Sequence, residues 1–311
     1  MTVWEALLLG LLQGTTEFLP VSSSGHLGLA ELLLHIKPSL AFNAALHGGT
    51  LAVVIGYYRR DLLTMLRDSV GSLRALLRGK GLSRIWAEDH GTRLALLLCA
   101  ASVPTAIIGL TLKSTVERAM SSGLATSAAL LVTGLVLLAT WRVAGGAPSG
   151  GPSGAASDAP SDAPSDAPSD APSDGTSEDD GQVAVSPTSI AIHVALLVGI
   201  AQGLAVIPGI SRSGATLAAA LLLGIGRADA ARFCFLLSVP AILGALVLES
   251  GELLTLGRLG LPVLIAGVGM AMAAGYASLA LLVALVKRGG LHRFAFYVLP
   301  VGIAGLIYFS I

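Results

Sequence analysis

The sequence predicts an all-α integral membrane protein built as an inverted-topology repeat, with about six transmembrane helices plus two re-entrant helical hairpins. Three observations carry this reading. The 311 residues are 54% hydrophobic and 12% charged, with a mean hydropathy of +0.79, far from the balance of a soluble globular domain. Two polar motifs, QGTTEFLPVSSSG from Gln13 and QGLAVIPGISRSG from Gln202, recur in two apolar halves of the chain. Basic residues gather in some connections and avoid others, which fixes the sense of each crossing.

The first half, residues 1–143, opens on a hairpin over about 3–36. Its apolar runs, Leu7 to Leu12 and Leu27 to Leu34, are too short to cross about 30 Å of hydrocarbon. Pro20 and a serine turn break the helix between them, so the pair dips in and returns, its tip buried in protein or lining a wet cavity. The opening run has no basic n-region and no small-residue cleavage site, so it is read as part of the fold, not as a removable signal peptide. Spans follow over about 41–58, 94–112 and 124–141. Eight Lys and Arg between Arg59 and Arg93 place that connection in the cytoplasm; the loop from Lys113 to Arg118 then lies outside, and Trp141 returns the chain inside.

Residues 144–187 are mostly Gly, Pro, Ser, Ala and Asp, with four consecutive SDAP units from Ser157 to Pro172. Too few apolar side chains are present to offset the entropy of ordering, so this is expected to be a disordered, acidic, cytoplasmic linker. It explains the neutral net charge. Eight of the nineteen acids sit in it, leaving eleven against nineteen bases elsewhere.

The second half, 188–311, repeats the plan with a hairpin over about 190–225 and spans over about 231–248, 261–286 and 294–311. Basic turns at Arg227 to Arg232 and Lys287 to Arg293 belong inside, and Glu249 to Gly260 outside. The halves therefore run in opposite senses, and the hairpins enter from opposite faces so that their tips meet. Cys99 and Cys234 lie in separate apolar segments with no partner at metal or redox spacing and are expected to be buried structural thiols.

The tips carry the chemistry. In PGISRSGAT, Pro208 and Gly209 break one helix, and Ser211, Arg212 and Ser213 open the next. Free N–H groups at a helix start, hydroxyls and a guanidinium fork together suit a phosphate. Arg212 follows a Pro-Gly break rather than ending a span, which argues against a merely snorkelling side chain. The first tip is complementary. Glu17 can hold a cation or a proton, with Gln13 one turn earlier on the same face. Ser22, Ser23 and Ser24 form the turn, Gly25 lets the backbone approach a ligand, and His26 can shuttle a proton. His35 and His193 read as structural. Whether His47 faces the same cavity is left open by its position.

These paired motifs resemble the two signatures of the bacterial undecaprenyl-diphosphate phosphatase family, also called the bacitracin-resistance family, and the similarity covers nearly the whole chain outside the linker. The resemblance implies a membrane enzyme that removes the terminal phosphate of a polyprenyl diphosphate, recycling the lipid carrier for cell-wall synthesis and conferring bacitracin resistance. The family's acidic motif matches Gln13 and Glu17, its Ser-Ser-x-Gly-His element matches Ser22, Ser23, Gly25 and His26, and its Pro-Gly-x-Ser-Arg-Ser-x-x-Thr motif matches Pro208, Gly209, Ser211, Arg212, Ser213 and Thr216. It further implies a divalent cation, Mg2+ or Ca2+, and a site opening to the periplasmic side of the inner membrane. Gln13 and Asn43 stand where many members of that family carry acids, so the resemblance implies Glu17 as the main metal ligand. No nucleic acid partner is expected; monomer and homodimer are both open.

Two routes remain at this level. Ser23 attacks the phosphorus with His26 handling the proton, or His26 activates a water directly. The competing class is a flippase for the polyprenyl phosphate, since inverted repeats with re-entrant hairpins are typical of carriers.

Overall fold

The structure, a computed structural model, describes residues 1–36, 38–79, 81, 86, 89–120, 122–144, 190–253 and 260–311. The expected acidic linker lies outside these except for Ala144, as do Lys80 and Arg84 of the basic connection. The described residues form helices and no strands. In chain order they are α1 (Val3–Phe18), α2 (Ser23–Leu34), α3 (Leu40–Tyr57), α4 (Arg59–Leu77), α5 (His90–Thr111), α6 (Lys113–Met120), α7 (Gly123–Ala139), α8 (Ile192–Leu204), α9 (Arg212–Leu222), α10 (Arg227–Leu248), α11 (Leu261–Lys287) and α12 (Ala295–Ser310), with one-turn helices between some of them.

Among the described residues, six segments are long and apolar enough to cross a membrane: Leu40–Tyr57, His90–Thr111, Gly123–Val143, Arg227–Leu248, Leu261–Lys287 and Leu291–Ser310. The chain is a multi-pass membrane protein. The shorter α1, α2, α8 and α9 make two helix-turn-helix pairs, one in each half. The basic connection after the first span is helical where the sequence suggested a simple link, because α4 sets Leu62 and Met65 on one side and arginines on another.

The two halves are interleaved. α1 of the first half packs along α11 of the second, and α8 of the second packs along α5 of the first. Small residues permit both approaches: a Cβ on Gly10 would collide with the Gly267 carbonyl, and one on Gly199 with the Ala101 carbonyl. The first spans of the halves, α3 and α10, touch each other, as do the third spans, α7 and α12. Each half therefore lends its helix pair to the other half's second span, and Pro20, Val21 and Ser22 of one turn and Pro208, Gly209 and Ser211 of the other are buried.

The basic ends of the spans share one end of the molecule. Arg232 of α10 pairs with Asp61 of α4, and the Arg227 guanidinium donates to the Val143 carbonyl at 3.3 Å, at the close of the third span. Cys234 is buried as expected. Cys99 is not; it lies on the outer surface of α5, since its helix turns the Leu97–Leu98 side inward.

Candidate active site

The two turns are built alike. Ser22 caps α2 by accepting from Gly25 N at 3.2 Å, and Ser211 caps α9 by accepting from Gly214 N at 3.1 Å. Within each turn the cap faces the serine two residues on, at 3.4 Å for Ser22 and Ser24 and 3.2 Å for Ser211 and Ser213. Ser23 and Arg212 thus hold the same first helical position in the two copies. The two turns are alike in construction, and they present a hydroxyl and a guanidinium from the same position.

The turns touch. A Cβ on Gly25 would lie 3.1 Å from Gly209 Cα, and one on Gly214 would lie 3.3 Å from Pro20 Cβ. Ser213 Oγ donates to the Leu19 carbonyl at 3.2 Å across the junction. Ser22 holds φ +72°, a left-handed conformation that costs a non-glycine residue about 1–3 kcal/mol. Its carbonyl accepts from His26 N at 3.1 Å and lies 2.9 Å from His26 Nδ1, so the strained residue organises the start of α2.

Glu17 sits where the turns meet, its side chain 2% exposed. Arg212 forms a close ion pair with its Oε1. Ser23 Oγ donates to Oε2 at 2.6 Å and Gln13 Nε2 donates to the same oxygen at 3.0 Å. His47 Nε2 stands 3.9 Å away, so the histidine left open by the sequence does face this site. Beside the ion pair is a cavity of about 10 Å³, lined in part by Phe18, Thr216, Phe235 and Ser238. Thr216 turns its hydroxyl back to the Arg212 carbonyl at 2.8 Å, which leaves it a wall residue whose hydroxyl is already engaged.

His26 is fixed at both ring nitrogens. A carbonyl only accepts, so Nδ1 carries the proton toward Ser22 O, and Nε2 is left to accept from the Tyr297 hydroxyl at 2.9 Å. The rings are near parallel, with centroids 5.6 Å apart. Tyr297 was invisible in sequence because it lies in an apolar run with no polar company.

Thr133 of α7 is the other residue that sequence reasoning missed. Its hydroxyl donates to Gly209 O at 2.8 Å and accepts from Ser211 N at 2.9 Å, satisfying two buried backbone groups at the PGIS turn. Gly209 is at φ +96°, and a Cβ there would strike the Thr126 carbonyl, so only glycine fits. Thr133→Val keeps the shape and removes both bonds. It is expected to lower stability by roughly 2 to 4 kcal/mol, read as a fall in the denaturation midpoint of the detergent-solubilised protein. An unchanged midpoint would show that the turn does not lean on α7.

Among the described residues no group of three or more His, Cys, Asp or Glu gathers as a metal cage. The oxygens at hand are the Glu17 carboxylate and Gln13 Oε1, a buried acceptor with no hydrogen-bond partner. One carboxylate and one neutral oxygen fit a magnesium ion completed by substrate phosphates, and do not fit a protein-only calcium cage.

Residues 6–304 match the family described as bacitracin resistance protein BacA. The chain is 40% identical over 300 residues to an undecaprenyl-diphosphatase of Desulfosudis oleivorans, covering 96% of this chain and 95% of that one. It is 37% identical over 314 residues to that of Geobacter sulfurreducens, covering 99% and 98%. It is 34% identical over 310 residues to that of Methanosphaera stadtmanae, covering 99% and 98%.

Proposed function

This chain belongs to the bacitracin resistance protein BacA family, and from that premise we propose that it hydrolyses undecaprenyl diphosphate to undecaprenyl phosphate and inorganic phosphate. The observation that carries the reading is Glu17, held at once by Ser23 of one turn and Arg212 of the other. A nucleophile, a proton acceptor and a phosphate-binding cation meet at one carboxylate.

The diphosphate takes Arg212 from Glu17, because a doubly bonded phosphate is the better partner for the guanidinium fork. The helix start at Ser211 adds N–H groups to the same anion. Ser23 Oγ attacks the terminal phosphorus and passes its proton to Glu17 Oε2, to which it is already bonded at 2.6 Å. The phosphoanhydride bond breaks and undecaprenyl phosphate leaves as a stable anion. Water then attacks the phosphoserine and His26 Nε2, let go by the Tyr297 hydroxyl, takes its proton; the P–Oγ bond breaks, Glu17 returns its proton to Ser23 Oγ, and His26 gives the water's proton to the departing phosphate. Ser23 Oγ already donates to Glu17 Oε2, and that contact supports sending the serine proton to Glu17, where the sequence pattern alone points to His26. A divalent cation bound through Glu17 and Gln13 Oε1 would add charge neutralisation at the diphosphate.

The basic ends that meet at Asp61 and Val143 support a cytoplasmic placement of that end in the bacterial cell membrane. The hairpins then enter from opposite faces, and the family resemblance supports a site opening to the periplasm. A flippase would employ Arg212 but has no use for a serine hydroxyl aimed at a carboxylate. Phosphate release from detergent-solubilised undecaprenyl diphosphate separates the two. Wild type is expected to release it and Glu17→Ala to lose at least about a thousandfold; no release by wild type would leave only the carrier.

A further inference from the structure

The helix α4 (Arg59–Leu77) has three sides with different chemistry. The first is turned to the bundle: Ser72 is buried against Thr92 at 2.9 Å and also bonds Asp89, while Leu62 and Met65 pack on the core. Both acids of the helix are spent on this side. Asp61 pairs with Arg232, and Asp68 accepts from Gly91 N at 3.1 Å. At 100° per residue, Leu63, Leu66, Val70, Leu73 and Leu77 fall on a second, exposed strip. Leu66 is 62% and Leu77 80% exposed. Arg60, Arg67, Arg74 and Arg78 fall on a third strip directly beside it, also exposed. Arg59, by contrast, folds back to the Gly56 carbonyl at 3.1 Å.

This segregation of charge is not what an ordinary solvated helix shows. Acids and bases would be mixed over its outer face, whereas here every acid is turned inward and the outward charge is wholly positive. An apolar strip flanked by an unbalanced row of arginines matches the boundary of an anionic leaflet, where acyl chains and phosphates lie side by side. The helix is also at the basic end of the bundle, joined to it through Arg232.

We propose that α4 is an interfacial lipid-binding helix: its leucine strip enters the acyl boundary, and Arg60, Arg67, Arg74 and Arg78 bind the headgroup phosphates of anionic phospholipid. None of these residues touches the active site, so the proposal stands apart from the hydrolase reading.

The test uses the full chain taken from vesicles of four parts phosphatidylcholine to one part phosphatidylglycerol, with retained lipids counted by native mass spectrometry. Wild type is expected to retain phosphatidylglycerol in excess of its share. An arginine facing an anionic surface is worth roughly fivefold, so R60Q/R67Q/R74Q should cut the preference at least about tenfold. Arg→Lys at the same three positions should keep it, and phosphate release in phosphatidylcholine alone should be the same for all three proteins. Equal retention of the two lipids by wild type, or a preference that survives R60Q/R67Q/R74Q, would overturn the proposal. So would a preference lost only together with dissociation of a dimer, which would make a second copy the occupant. A preference that emerges only after deletion of residues 146–184 would assign the basic strip to the acidic tract instead.

Discussion

Arg212→Ala is expected to lower phosphate release from undecaprenyl diphosphate by at least about a thousandfold, the scale on which an arginine stabilises a transferring phosphoryl group. The reason is positional. Arg212 is the cation at the meeting point of the turns, and no neighbour on α9 can take its place. The same change leaves Glu17 buried without its ion-pair partner, so it also threatens the fold. The two effects separate in the double variant Glu17→Gln with Arg212→Ala, in which neither charge is left uncompensated. That protein should regain the stability of wild type and remain inactive. Arg212→Lys should be intermediate, because an ammonium keeps the charge but not the planar fork. Near-normal turnover by Arg212→Ala would remove the phosphate cradle from the account.

Ser23→Ala is expected to produce a loss of similar size, at least about a thousandfold, if the hydroxyl is the nucleophile. Glu17→Gln should match it, since the carboxylate accepts that hydroxyl's hydrogen bond and, in the proposed mechanism, its proton. Residues that work as one unit do not add, so combining the two should cost little more than either alone. In a His26→Ala protein the first step survives and the second fails, and a phosphate should accumulate on Ser23, visible by mass spectrometry. Incorporation of labelled water in one step, with no phosphoserine and with Ser23→Ala still active, would favour a water activated by His26.

Much of this was legible before any coordinates, for identifiable reasons. Spans announce themselves because a helix crossing hydrocarbon must be apolar over its whole length, and α5, α7, α10 and α11 satisfy that plainly. The polar residues of the two tips stand out because such groups are costly in an apolar chain unless they serve a site. The interleaving of the halves was not legible. It depends on which glycine faces which carbonyl, such as Gly10 on Gly267, and glycines are scattered through every span. Tyr297 and Thr133 were missed because an isolated aromatic or hydroxyl in an apolar helix carries no signal by itself; a threonine there commonly bonds its own backbone. The α4 helix was read as a charged connection, because its arginines outweigh its leucines in any average over sequence and only burial reveals that the acids face inward.

In the proposed mechanism two turns, 189 residues apart in sequence and alike in construction, close on one phosphate. An experimental structure with a non-hydrolysable undecaprenyl diphosphate analogue tests it most directly. The terminal phosphorus is expected within about 4 Å of Ser23 Oγ, near-attack distance, with Arg212 moved from Glu17 onto the phosphate oxygens. A diphosphate seated elsewhere, with Arg212 still paired to Glu17, would contradict it.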